Sequence, residues 1–317
     1  MAGPSFSFNF ALQEGGADVS ASPAPKAATT AELRGNAAAT PMRAGERFLW
    51  SPPAHPAAFS GVQVADMAFE IVNTTDAGFL AQTGAISSIL TTSDLQTGVY
   101  EGGFKLWECS VDLVTFVEAA LRREPGAKMP AAVLELGCGH GLPGIHALQR
   151  GAERVVFMDY NKEVLELTTC PNVLRNVRGD MQLSAKTSFY AGAWGSVSDY
   201  MQQVEQQPKE DMLFDLILTA ETIYTEAYPG GALALLLADC CIDCSLALPQ
   251  TIKRHLRRSP ASRALVAAKK YYFGTGGSVQ HFVGLVEADG VLRAEIVWEE
   301  RDCRSNIREI VQLTFAT

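Results

Sequence analysis

From residue 98 onward, apolar positions recur with periods that alternate between those of helix and strand. The first segment is helical: in LWECSVDLVTFVEAALRR, Leu113, Val114, Val117 and Leu121 form one stripe, and Pro125 with Gly126 closes it. AAVLEL then reads as a first strand, GLPGIHALQR as a helix, RVVFMD as a second strand, and KEVLELTTCPNVLRNV as a helix bent or interrupted at Pro171. SFYAGAW predicts a short third strand, DLILTAETIY a buried fourth, LALLLADCCIDCSLAL a helix, and RALVAAKKYYF a fifth strand. SVQHFVGLVEADG is a helix closed by Gly290, and VLRAEIVWEE and IREIVQLTF are two further strands joined by a turn containing CRSN. Alternating strands and helices predict an α/β fold, a mostly parallel sheet with helices on both faces that ends in an antiparallel hairpin.

The chain before residue 98 is different. Residues 15–44 are rich in Ala, Gly, Ser, Thr and Pro and hold too little apolar surface to offset the entropy of ordering. Residues 1–47 are therefore expected to be a mostly flexible tail, with Phe6, Phe8 and Phe10 alternating as in a short edge strand or docking peptide. Residues 48–97, with Pro52, Pro53 and Pro56, predict a partly structured lead-in, and 98–317 the main domain. With 317 residues and 47% apolar content the chain can bury a sizeable core, and a formal charge of −9 argues against a protein that mainly coats nucleic acid. The start lacks a basic, then apolar leader, no long apolar run survives interruption, and seven scattered cysteines lack paired spacing. A reducing, soluble compartment without membrane attachment is expected, and no metal site: Cys240, Cys241 and Cys244 lack a second ligand pair.

The chemistry concentrates where strands end. Gly137, Gly139 and Gly141 follow the first strand at alternate positions and lead into a helix, the form of a turn that binds an adenosine-type cofactor. Asp159 ends the second strand about twenty residues on, where an acid can bind ribose hydroxyls. Glycine spacing alone leaves a NAD site open, whereas a typical NAD-binding sheet does not end in a hairpin. Ligands in such sheets sit outside the carboxyl ends of the strands, which adds Tyr160 and Asn161, then Gly192, Ala193 and Trp194, then Ala220, Glu221 and Tyr224. Trp194 suits an adenine wall or plain packing. Glu221 suits an acceptor-binding carboxylate or a solvated loop acid. The run from Lys253 to Arg258 suits RNA, an import receptor or a solvated loop.

Glu135 with LGCGHG resembles the first motif of the seven-stranded S-adenosylmethionine (AdoMet) methyltransferases. YEGGFKLWECSVDL, LELGCGHGLPGI, MDYNKEVL with PNVLRN, AGAW, FDLILTAETIY and KKYYFGTGGSV, in that order, resemble successive blocks of the histidine protein methyltransferase family. The resemblance implies a seven-stranded class I, Rossmann-like fold and transfer of a methyl group from AdoMet to a histidine imidazole nitrogen, with S-adenosylhomocysteine as product. The implied substrate is a large-subunit ribosomal protein (universal protein three), met free or in a ribosome precursor, by a monomer in cytoplasm and nucleus. Carried over by position, cofactor contacts fall on Leu106, Trp107, Glu108, Cys109, Ser110, Gly137, Met158, Asp159, Tyr160, Gly192, Ala193, Trp194 and Ala220, and the turn motif itself adds Glu135, Gly139 and Gly141. Glu221 and Tyr224 are the expected catalytic pair, and a lysine methyltransferase of the same fold and a non-catalytic AdoMet-binding ribosome assembly factor are the alternative readings. Relatives carry a small hydroxyl where Ala220 stands, and 239–262 reads as an insertion.

Overall fold

The computed structural model describes residues 43–51, 57–90, 93–94, 96, 99–124, 126–177, 185–225, 244–301 and 306–316. The expected tail over 1–42, the Phe6, Phe8 and Phe10 strand, the first part of the helix begun at 233, Cys240, Cys241 and most of the CRSN turn lie outside the described residues. Among the described residues the strands are β1 (Glu46–Phe48), β2 (Phe59–Val64), β3 (Met67–Val72), β4 (Ala132–Leu136), β5 (Arg154–Asp159), β6 (Thr187–Ala191), β7 (Leu216–Ala220), β8 (Arg263–Lys269), β9 (Leu292–Glu300) and β10 (Arg308–Phe315). The main helices are α1 (Glu108–Arg123), α2 (Leu142–Gln149), α3 (Cys170–Asn176), α4 (Trp194–Asp199), α5 (Cys244–His255) and α6 (Val279–Asp289). Pro171 lies inside a continuous helical run from Lys162 to Asn176, and the expected irregularity stands directly upstream of it as a wide π turn, Leu165–Thr169.

The large sheet runs β1-β6-β5-β4-β7-β8-β10-β9. Strands β6, β5, β4, β7 and β8 are parallel, and β10 runs antiparallel between β8 and β9. Without β1 this is the seven-stranded class I methyltransferase order, with the chain reversing direction across the sheet at β4. Alternation along the central strands explains why both faces are covered. Val133, Val155 and Phe157 pack with Leu113 and Val117 of α1 and Ile145 of α2. Leu134, Val156 and Met158 pack with Val197 of α4, Leu248 and Ile252 of α5 and Phe282 of α6. Among the described residues, no helix is long and apolar enough to cross a membrane.

A strand and a hairpin that join the main fold precede the expected start of the domain at 98. β1, at the boundary between the expected tail and lead-in, adds an eighth strand antiparallel to β6, with Glu46 opposite Ala191 and Phe48 opposite Phe189. The β2–β3 hairpin shares the α1-side core through Val64, Phe69 and Ile71. Asn172 and Asn176 of α3 accept its main-chain N–H groups from Val72 and Glu70, at 2.7 and 2.9 Å.

Candidate active site

The turn after β4 is left-handed at Gly137, Gly139 and Gly141, with φ of 62°, 49° and 73°. Neighbours occupy the room that side chains would take. A Cβ on Gly137 would lie 2.7 Å from the Thr222 methyl, and one on Gly139 would lie 3.2 Å from the Gly103 carbonyl. Two buried acids hold the turn from beneath. Glu135 accepts from the Gly144 amide in the first turn of α2 at 2.8 Å, and burial pushes its carboxyl well above the usual range. Asp159 accepts from the amides of Gly139 at 2.9 Å and Asn161 at 3.0 Å. Burial raises its carboxyl to about 6 against the pull of those bonds.

The segment at 99–107 crosses over this turn and is tied to it by polar side chains. Nε2 of His140 lies 2.9 Å from the Phe104 carbonyl, while Nδ1 faces the Asn172 amide at 3.3 Å, so the ring donates from Nε2 and accepts at Nδ1. Burial lowers its pKa to about 4, which keeps it neutral. Asn161 donates to the Val99 carbonyl and accepts from the Glu101 amide. Trp107 closes the segment: its indole N–H donates to the Gly102 carbonyl at 2.9 Å. Across the β5–β6 edge, Arg43 pairs with Glu163 at 3.0 Å, donates to Val99 and lies 5.5 Å over the Tyr160 ring, while the Ala193 amide donates to its carbonyl.

The loop after β7 holds the most unusual group. Thr219 donates to the Leu136 carbonyl and its hydroxyl lies 2.7 Å from that of Thr222, which fixes the loop against the end of β4. Between them Glu221 adopts φ of 58°, a left-handed backbone that costs a side chain with a Cβ about 1–3 kcal/mol. Its side chain is 3% exposed, yet neither carboxylate oxygen has a hydrogen-bond partner. A buried acid in that state is expensive and requires an explanation in function. Lys269 Nζ stands 3.6 Å away, and the Cys109 thiol and Tyr272 hydroxyl lie against it. Burial first, then the charge of Glu221, pushes both of those groups well above their usual range. Tyr224 donates its hydroxyl to Glu101, and Gly277 fits against the Ile223 and Tyr224 main chain where a Cβ would come within 2.2 Å of the Ile223 carbonyl.

The sequence-predicted residues thus converge on the carboxyl ends of β4 to β8, but in three different roles. Glu221, Tyr224, Trp107, Cys109 and the glycine turn line one region together with Trp194, half-buried and 3.9 Å from the Gly137 Cβ position. Glu135 and Met158, expected as contacts, sit beneath it: Met158 is fully buried in the sheet core and offers its carbonyl to Cys138. Glu108 turns aside, 3.8 Å from Arg308, which also pairs with Asp112 at 2.5 Å. Leu106 packs half-buried on the α1-side core, Ser110 donates its amide to Trp107, the Gly192 amide donates to Asp159, and Ala220 ends β7 with no hydroxyl. Lys269, Glu101, His140 and Thr222 went unread. For Lys269 a signal existed, since the strand-end rule applies to the fifth parallel strand as well. The basic run begins in the last turn of α5, where Lys253 pairs with Asp289 and Arg254 with Asp199, and continues beyond the helix, where Arg257 pairs with Asp215.

Residues 89–261, more than half of the chain, match the family model Methyltransf_16, described as lysine methyltransferase. The chain is 36% identical over 226 residues to "Histidine protein methyltransferase 1 homolog" of Dictyostelium discoideum, a match covering 71% of this chain and 62% of that protein. The Rattus norvegicus protein of the same name is 37% identical over 223 residues, covering 64% of this chain and 54% of its own length. "Histidine protein methyltransferase 1" of Schizosaccharomyces pombe is 31% identical, with 60% and 58% covered. The chain therefore spans between half and two thirds of the length of these relatives. AdoMet is the cofactor of a methyltransferase with this sheet, and the residues present fit it: a left-handed glycine turn, a half-buried Trp194 beside it, and a bare buried carboxylate for a cationic ligand or its acceptor. By sheet order, strand-end site and matched residues together, the chain belongs to the AdoMet-dependent Methyltransf_16 family, among relatives that are histidine protein methyltransferases.

Proposed function

We propose that this protein transfers the methyl group of AdoMet to an imidazole nitrogen of a histidine in a protein substrate, and that the substrate is a large-subunit ribosomal protein, universal protein three. The observation that carries the reading is Glu221, a buried carboxylate with two bare oxygens on a strained backbone at the mouth of the site. Bound against the glycine turn, Asp159, Tyr160 and Trp194, AdoMet would supply an electrophilic methyl group. A neutral imidazole is a competent nucleophile once aligned and desolvated. Glu221 accepts the N–H of one ring nitrogen, fixing the tautomer so that the other nitrogen presents its lone pair. That lone pair would face the methyl group that bound AdoMet supplies, and the Glu221 carboxylate would take up the remaining N–H proton of the ring once it is methylated. Phe273, 68% exposed after β8, and Tyr271, 48% exposed, give the rim an aromatic surface suited to a protein acceptor.

The ribosomal identity of the substrate rests on the sequence blocks quoted above, and with it goes work in the cytoplasm and nucleus by a monomer. Radiolabelled AdoMet is to be supplied with ribosomal protein from cells lacking the enzyme, and the labelled residue mapped by mass spectrometry. Label is expected on histidine. Label on lysine would favour the activity in the family model's description, and no label would overturn the reading. Glu221→Gln is expected to lower kcat at least a hundredfold with S-adenosylhomocysteine affinity within twofold of wild type.

A further inference from the structure

Lys269 is the last residue of β8 and is 4% exposed, rare for a lysine. Its ammonium lies 3.6 Å from Oε1 of Glu221 and 5.3 Å over the Trp107 ring. At that distance the charges attract without the carboxylate oxygen being taken up in a hydrogen bond. The other groups facing this carboxylate are the Cys109 thiol and Asp112 from α1 and the Tyr272 hydroxyl from the loop after β8. The thiol and hydroxyl are neutral, and Asp112 is answered by Arg308. Lys269 and Glu221 thus form an electrically neutral pair, with the Cys109 thiol and the Tyr272 hydroxyl directed at the same carboxylate.

We propose that Lys269 is a positioning residue that determines specificity: its ammonium neutralises the acceptor pocket, so that the pocket takes a neutral imidazole and turns away the ammonium of a lysine side chain. The inference rests on Glu221 being the acceptor-binding carboxylate of the proposed histidine reaction. An imidazole brings an N–H to an ionised oxygen and no net charge. A lysine side chain would bring a second cation close to Lys269 in a site shielded from water, where like charges repel strongly. Remove the Lys269 charge and both preferences invert. An isolated buried carboxyl takes up a proton and can no longer accept the ring N–H, whereas an incoming ammonium becomes the missing counter-ion.

The test uses the full chain and recombinant ribosomal protein carrying either its acceptor histidine, located by mass spectrometry, or lysine at that position. Binding to protein loaded with S-adenosylhomocysteine is measured by calorimetry, and methyl transfer separately. Wild type is expected to methylate the histidine form and to bind it at least tenfold tighter than the lysine form. In Lys269→Met, kcat on histidine falls at least tenfold, the lysine form binds at least tenfold tighter than it does to wild type, and S-adenosylhomocysteine affinity holds. Lys269→Arg restores the wild-type order. An unchanged binding ratio in Lys269→Met overturns the inference and leaves histidine transfer standing, while absence of histidine transfer by wild type overturns both. If Lys269→Met does not fold, infrared difference spectra of wild type against Glu221→Gln decide: an ionised carboxylate band at neutral pH supports the pairing, and a protonated acid band overturns it.

Discussion

At the scale of single residues, the protein keeps two imidazoles neutral by burying them with fixed partners. His255 resembles His140 in this respect: Nδ1 lies 2.8 Å from the Met212 carbonyl, Nε2 lies 2.7 Å from the Ser198 hydroxyl, and burial lowers its pKa to about 4. A histidine at 6.5 when unfolded and about 4 when folded gives the unfolded chain more bound protons between those values. Its contribution is therefore complete above pH 6.5 and is lost as pH falls toward 4. Asp159, raised to about 6, acts in the opposite sense over pH 6 to 4, because the folded state then holds the extra proton. Between pH 7 and 4.5, His255→Gln should therefore lose less stability than wild type, by on the order of 2–3 kcal/mol in denaturant midpoint series. Equal slopes for the two proteins would refute the linkage.

At the scale of elements, the strand-end segments meet through glycines. Gly192, at φ of 121°, lets the Ala44 carbonyl approach to 2.4 Å of where a Cβ would stand, and β1 docks on β6 by that route. Gly192→Ala should therefore free β1, costing about 2 kcal/mol or more and speeding amide exchange at Arg47, with β4 and β5 unaffected. Unchanged exchange at Arg47 would mean that the strand is held by something else. The central strands and the glycine turn were legible in the sequence because a buried strand followed by a glycine-rich turn is a local signal. β1 was not, since its three residues sit beside an Ala- and Gly-rich stretch and their pairing depends on a partner more than 140 positions away. The same applies to the Lys253–Arg258 run, whose acids Asp199, Asp215 and Asp289 come from three other parts of the chain, and to the bare oxygens of Glu221, which only the packing of β7 against α1 and β8 reveals.

At the scale of the whole molecule, Arg308 joins the far strands to the site. It opens β10, lies opposite Lys269 of β8 in the ladder, and pairs with Asp112 and Glu108 of α1. Arg308→Met would leave those half-buried acids unanswered and should cost about 1–3 kcal/mol in chemical denaturation, with Asp112→Asn in the same chain recovering part of the loss. No recovery would show that the arginine acts by packing alone. β10 also has a consequence for the order of assembly. It follows β9 in sequence yet lies between β9 and β8, so β9 has no place in the sheet until the later strand has arrived. A nascent chain that has emerged only through β9 therefore carries the donors and acceptors of β8 exposed along one edge, open to a chaperone or to a strand of another chain.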